Sequence, residues 1–134
     1  MKKLEKSQKM TIKTFEEYQA AAISMRVSLD KFKENFPGES LVVLELLALS
    51  YDGLGLGEAG EVQGKIKKII RDEGGIITID AKKEIAKELG DCLWYIASMC
   101  DNLNLDMGEV ATMNIEKLRS RHERGTVHGN GDNR

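Results

Sequence analysis

Glu58-Ala-Gly-Glu61 and Glu88-Leu-Gly-Asp91 constrain this chain more than any other feature of it. Each pair is spaced i, i+3 within text that otherwise reads as helix. That spacing puts both carboxylates of a pair on one face, a turn apart. Like charges so close repel, and four acids converging on one place stay ionised only beside a cation. Two helices packed with these faces together would build a site for a hard divalent metal ion, and through it for phosphate chemistry.

The neighbouring residues show how the two faces can meet. At about 100° per residue, Glu84, Glu88, Asp91 and Tyr95 fall in a stripe roughly 40° wide, with Ile85, Leu89, Cys92, Leu93, Ile96 and Cys100 about 130° round from it. On the other helix Glu58, Glu61, Lys65 and Lys68 run beside Val62, Ile66 and Ile69. Each acidic stripe therefore borders a core face, and the two stripes meet if the helices pack. A single acid pair at this spacing is ordinarily a solvated face, with Lys65 and Lys68 pairing with Glu61 and with solvent. Spacing alone leaves the solvated face and the metal site both open. If a metal is held, its type is narrowed by the donors. His122 and His128 are far from the acids in sequence, whereas di-iron bundles use Glu-x-x-His. An all-oxygen set suits Mg²⁺, or Mn²⁺.

The rest of the chain reads as all-α, a bundle of about four to five helices. Residues 1–13 form a polar, flexible start. Thr14-Phe-Glu-Glu17 is a capping box that opens a first helix from about Phe15 to Lys33, and Pro37-Gly38 breaks it. A second helical stretch covers about Ser40 to Asp72. Its Leu41–Leu49 portion is almost wholly apolar and is expected to be buried. Gly53, Gly55, Gly57, Gly60 and Gly64 interrupt the remainder. Each costs about 1 kcal/mol against alanine in a helix, so a kink near Asp52-Gly53 and close approach by a neighbouring helix are expected. Ile76–Ile79 reads as a loop with ordered hydrophobic packing. A third helix spans about Ala81 to Asn102 with Asp80 as N-cap. Asp106-Met-Gly-Glu109 opens a fourth to about Arg121. The domain is expected over 14–122, with 123–134 a Gly-rich polar tail.

Composition excludes several classes. The chain has 134 residues with 41% hydrophobic and 31% charged residues, which suits one soluble domain with its own core. The net charge of -2 offers no overall field for a nucleic-acid polymer or an anionic membrane. No apolar run approaches the roughly 20 residues that span a bilayer, and the basic start lacks the apolar segment of a signal peptide. Cys92 and Cys100 lie in one predicted helix about 12 Å apart, too far to bridge. A reduced, cytoplasmic setting is the expectation. There is no GxxxxGK[ST] loop, so this is not a P-loop NTPase.

Glu-x-x-Glu, a 26-residue spacer and Glu-x-x-Asp together resemble the MazG-like all-α nucleoside triphosphate pyrophosphohydrolases. The similarity extends through Leu54–Val62, Lys67–Asp72, Ala86–Tyr95, Asn114–Arg121 and Gly129–Arg134, and covers about residues 14–134. The Leu41–Leu49 segment departs from the familiar pattern. The resemblance implies Mg²⁺-dependent hydrolysis of (deoxy)nucleoside triphosphates to monophosphate and pyrophosphate, a house-cleaning role. It implies Glu58, Glu61, Glu88 and Asp91 as metal ligands and Lys117 and Arg121 facing the phosphates. Asn114 would orient the nucleotide, and Tyr95 would line the base or sugar pocket. It further implies a homodimer or homotetramer that completes the bundle. The water-activating base is open among Glu58, Glu61 and Glu84. Without the resemblance, Lys117 and Arg121 are cations favoured near a helix C-terminus, Asn114 is solvent-facing, and Trp94 is core or interface. Two rivals stand beside this reading: a phosphoribosyl-ATP pyrophosphohydrolase-like enzyme, and a non-catalytic helical dimerisation or nucleotide-sensing module.

Overall fold

The computed structural model describes residues 11–131, and among them there are six α-helices and no strand. They are α1 (Phe15–Ile23), α2 (Leu29–Asn35), α3 (Leu41–Gly55), α4 (Ala59–Asp72), α5 (Ile79–Asn102) and α6 (Met107–Glu123). A 3₁₀ turn, Leu56–Glu58, joins α3 to α4. The all-α expectation holds. Ten residues of the expected polar start and the last three of the tail lie outside the described residues.

Polar side chains close the helix N-termini. Thr14, Ser28, Ser40, Thr78 and Asp106 each accept a bond from the backbone N–H three residues on. The Thr14 box differs in one detail: Glu17 reaches back to the Lys13 amide, 2.7 Å away. The first expected helix is two. Ser24–Ser28 breaks it without glycine or proline, because Ser28 caps a new start and Arg26 turns away to pair with Asp101. The cap of α5 is Thr78 rather than Asp80, which sits in the first turn and favours the helix dipole there. The preceding isoleucines do not pack as expected: Ile76, Ile77 and Ile79 are exposed.

Helix α5 is the axis of the molecule, with α1, α3 and α4 against it; α2 leans on α3, and α6 on α1 and α5. Two small cores result. Ala22, Ala97 and Met107 form one, flanked by Tyr18, Trp94 and Ile96, which places Trp94 in the packing as expected. Phe32, Leu44 and Ala48 form the other, with Leu29 and Leu47. The wholly buried Leu41–Leu49 helix is not found. Leu44 and Ala48 are buried, while Leu41, Val42 and Leu46 are more than half exposed. Helices α2 and α5 pack on α3, and among the described residues nothing covers its Leu41, Val42 and Leu46 side.

Two buried polar side chains, Gln19 and Asp52, tie helices together. Gln19 donates to the Leu105 carbonyl (2.9 Å) and accepts from the Met107 amide (2.8 Å), locking α1 to the entry of α6. Asp52, 2% exposed, accepts from Ser98 Oγ (2.9 Å) and Asn102 Nδ2 (2.6 Å), tying α3 to α5. Removing one partner from such a set strands the other donors. Asp52→Ala is therefore expected to lower the unfolding free energy by about 2 kcal/mol, read as a lower urea midpoint at an unchanged slope.

The kink falls after Gly55 rather than at Asp52-Gly53. A Cβ on Gly55 would lie 2.1 Å from Cε1 of Tyr95. The absence of a side chain is what lets the Tyr95 ring press on the α3 backbone. The other expected close approaches are not found at Gly57, Gly60 or Gly64, where a Cβ would meet nothing within 4 Å.

Candidate metal centre

The acid face of α5 and the 3₁₀ turn before α4 meet as the wheel requires. Glu58, Glu88 and Asp91 bring one carboxylate oxygen each to within 4.8 Å of one another. Glu58 and Glu88 are half-buried and Asp91 is exposed. Glu61, one turn into α4, is exposed and is not part of this group. The structure thus assembles three of the four expected ligands, two from α5 and one from the turn.

The donor chemistry fits a hard cation. Among the described residues no histidine or cysteine joins the group. Oxygens sharing one Mg²⁺ at about 2.1 Å are at most about 4.2 Å apart, so small side-chain rotations close the set. Lys65 of α4 offsets part of the negative charge. Its Nζ lies 3.3 Å from Glu88 Oε1 and 3.7 Å from Glu84 Oε2. Lys65 pairs across the helix interface rather than with Glu61, as a solvated face would have it, because α4 faces its lysine, not its second acid, toward α5. Glu84 also holds Lys87 at 2.6 Å. The Lys87 hydrogen bond and charge, then Lys65, keep the Glu84 carboxyl below its ordinary range.

Two tyrosines, Tyr18 and Tyr95, stand beside this group, and Tyr51 packs on Tyr95. Tyr95 stands one turn beyond Asp91, as its stripe requires. Burial, then the Tyr51 hydroxyl, then Glu58 and Asp91 push its phenol up. The Tyr51 and Tyr95 rings are 6.2 Å apart, and Trp94 meets Tyr95 edge-on at 5.0 Å. Tyr18 of α1 makes a long bond to the Gly90 carbonyl, 3.4 Å away. Its phenol is pushed up by burial and then by the Asp91 charge. Sequence reasoning missed Tyr18 and Tyr51; their one signal is scarcity, since the chain has only three tyrosines. With raised values, folded Tyr18 and Tyr95 keep protons that the unfolded chain releases. Their contribution to stability is then full below pH 10.0, the ordinary tyrosine value, and falls as pH rises past it. An absorbance titration of tyrosinate should show at least two of the three phenols ionising above the free-tyrosine range.

Beside Tyr18 opens an apolar cavity of about 360 Å³, lined by Ile12, Lys13, Thr14, Phe15, Tyr18 and Leu93. The expected phosphate residues lie on a different helix from the acids. Asn114 and Lys117 are on exposed turns of α6. Arg121 is 5% exposed, its guanidinium donating to the Gly131 carbonyl at 3.4 Å. The tail turns at Gly125 (φ 67°), and the Thr126 amide bonds back to the Arg121 carbonyl at 2.9 Å. Thr126 and Gly131 therefore lie against Arg121. Cys92 and Cys100 are free thiols, and among the described residues no helix is long and apolar enough to cross a membrane.

Comparison with known proteins agrees with this geometry. The chain is 46% identical over 87 residues to the Gene 37 protein of Mycobacterium phage L5, a match spanning 64% of this chain and 76% of the phage protein. No solved structure matches. The model of the MazG nucleotide pyrophosphohydrolase domain matches residues 51–126, which include Glu58, Glu61, Glu88, Asp91, Tyr95 and the basic residues of α6, but not α1 or most of α3. A match over more than half the chain, carried by the segment that builds the acid group, makes this protein a member of the MazG nucleotide pyrophosphohydrolase family.

Proposed function

We propose that the protein hydrolyses (deoxy)nucleoside triphosphates to monophosphate and pyrophosphate with Mg²⁺, with Mn²⁺ as a substitute. The convergence of Glu58, Glu88 and Asp91 carries this reading. These three hold the ion, and Glu61, one turn on from Glu58, contributes the fourth acid. When bound, the ion neutralises phosphate charge and polarises the α-phosphorus. A carboxylate orients the attacking water and takes its proton as the bond from the α-phosphorus to its bridging oxygen breaks. Glu84 suits that task poorly, because Lys87 and Lys65 hold it as a stabilised anion and hence a weaker base. Glu58 and Glu61 are the better-placed bases. Asn114, Lys117 and Arg121 serve the phosphates from α6, Arg121 after the tail shifts from it. The apolar cavity at Tyr18 and Leu93 receives the nucleoside, its Tyr18 wall close to Asp91.

The protein acts as a homodimer or homotetramer in the cytoplasm, in nucleotide house-cleaning. The uncovered apolar side of α3, with Leu41, Val42, Leu46 and Leu54 all more than half exposed, supports burial against a second copy. Static light scattering reports the mass directly.

The test is a panel of ribo- and deoxyribonucleoside triphosphates with Mg²⁺, following pyrophosphate and identifying the nucleotide product. Release of pyrophosphate and monophosphate in equal amounts, abolished by chelator, is expected. Release of orthophosphate, or cleavage of phosphoribosyl-ATP alone, would sink the reading. So would metal-independent binding without turnover, the behaviour of a sensing module.

A further inference from the structure

We propose that Lys65 is a resident counter-cation of the acid group that exchanges partners when a divalent ion binds, releasing Glu88 and retaining Glu84. The inference rests on the metal site proposed above and concerns how that site is kept ready without its ion. Lys65 Nζ is placed between two carboxylates one turn apart on α5, nearer to Glu88 (3.3 Å) than to Glu84 (3.7 Å). Glu88 is also one of the three acids that converge for the ion. One carboxylate thus has two cationic claimants, and an ammonium left beside a divalent ion is repelled by it.

The surroundings provide the way out. A cavity of about 220 Å³ lies between α4 and α5, lined by Lys65, Lys68, Thr78, Asp80 and Glu84 among others, but not by Glu88. A Lys65 head that leaves Glu88 has room on the Glu84 side. Glu84 stays there as an anion, because Lys87 holds its other oxygen at 2.6 Å. The side chains of Lys65 and Glu88 are 29% and 16% exposed, so water screens their pairing only partly.

Three consequences follow for the nucleotide-free protein. Without Lys65 the acids repel one another until an ion arrives, so the metal-free fold is weakened and the ion binds more tightly. Without Glu84, Lys65 has only Glu88 to pair with, and the ion binds less tightly. The Glu84 effect acts through Lys65, so it should vanish when Lys65 is absent. Simple loss of a nearby charge would instead give additive effects.

The experiment is calorimetric titration of Mn²⁺ into wild type, K65Q, E84Q and K65Q/E84Q, with thermal melts in chelator and circular dichroism to verify the fold. At the strength of a partly exposed ion pair, K65Q should bind Mn²⁺ about threefold more tightly and E84Q about threefold more weakly. The double variant should match K65Q. In chelator K65Q should melt below wild type and gain more than wild type on adding Mn²⁺. K65R, which keeps the charge, should behave as wild type; should K65Q misfold, K65M provides the same comparison. Additive single effects, or a Lys65 variant that binds Mn²⁺ no more tightly, overturn the exchange while leaving the metal site intact. A wild type that binds no divalent ion overturns both.

Discussion

Asp91→Asn should reduce pyrophosphate release by about 10²–10³-fold, the scale on which one charge-stabilising group is lost from a reacting phosphate. Asp91 is the exposed member of the converging acids, and Asn keeps its size while removing its charge. The stability readout should move in the opposite sense. In chelator the acids repel, so Asp91→Asn should leave the melting temperature unchanged or raise it. The stabilisation that wild type gains from the ion should shrink sharply, because an ion stabilises only the state that binds it. Loss of turnover with loss of folding would mean a structural role, and unchanged turnover would remove Asp91 from the site. Asp30→Asn, an exposed acid on α2, is the matched control and should alter neither readout.

Gly55→Ala should lower stability by about 1–3 kcal/mol, the cost of forcing a methyl group into a packed contact. Helix propensity alone points the other way, since alanine is favoured over glycine by about 1 kcal/mol. Packing wins because the new Cβ would sit 2.1–2.4 Å from three atoms of the Tyr95 ring, which is no flexible chain end. Tyr95 is confined by Trp94 and Tyr51, so ring or backbone must shift. Turnover should fall with stability, because Tyr95 stands beside Glu58 and Asp91. Gly64→Ala in α4 meets nothing within 4 Å and should stabilise by about 0.5–1 kcal/mol. Pairing Gly55→Ala with Tyr95→Ala should recover much of the loss, as the space then exists. A Gly55→Ala protein as stable as wild type would show that the Tyr95 contact does not govern this junction.

The four-acid pattern was legible because helical periodicity converts spacing directly into faces. Glu88, Asp91 and Tyr95 occupy the stripe their spacing dictates, on one unbroken helix. The hydroxyl and carboxylate caps at Thr14 and Asp106 were legible for the same local reason, since a cap needs only its own first turn. Expectations failed where the outcome depends on a distant partner. Leu41–Leu49 is apolar but for Glu45, yet burial follows from how many elements pack on it, and among the described residues one side stays uncovered. The break at Ser24–Ser28 owes as much to Arg26 reaching Asp101 as to its own residues.

The sequence by itself therefore determined the all-α class, the acid faces and the hard-cation donor set, because each is set by residue type and by a period of 3.6. Tertiary structure alone decided which acids meet. Glu58 joins Glu88 and Asp91 because a 3₁₀ turn swings it toward α5, and Glu61, one turn later, is left outside the group. It also sent Lys65 to Glu88 and Glu84 rather than to Glu61, and brought Tyr18 of α1 and Tyr95 of α5 beside the acids. Those outcomes depend on the rotation and approach of packed helices. Contacts from Lys65–Glu84, 19 positions apart, to Tyr18–Gly90, 72 apart, set that rotation, and no local period encodes it.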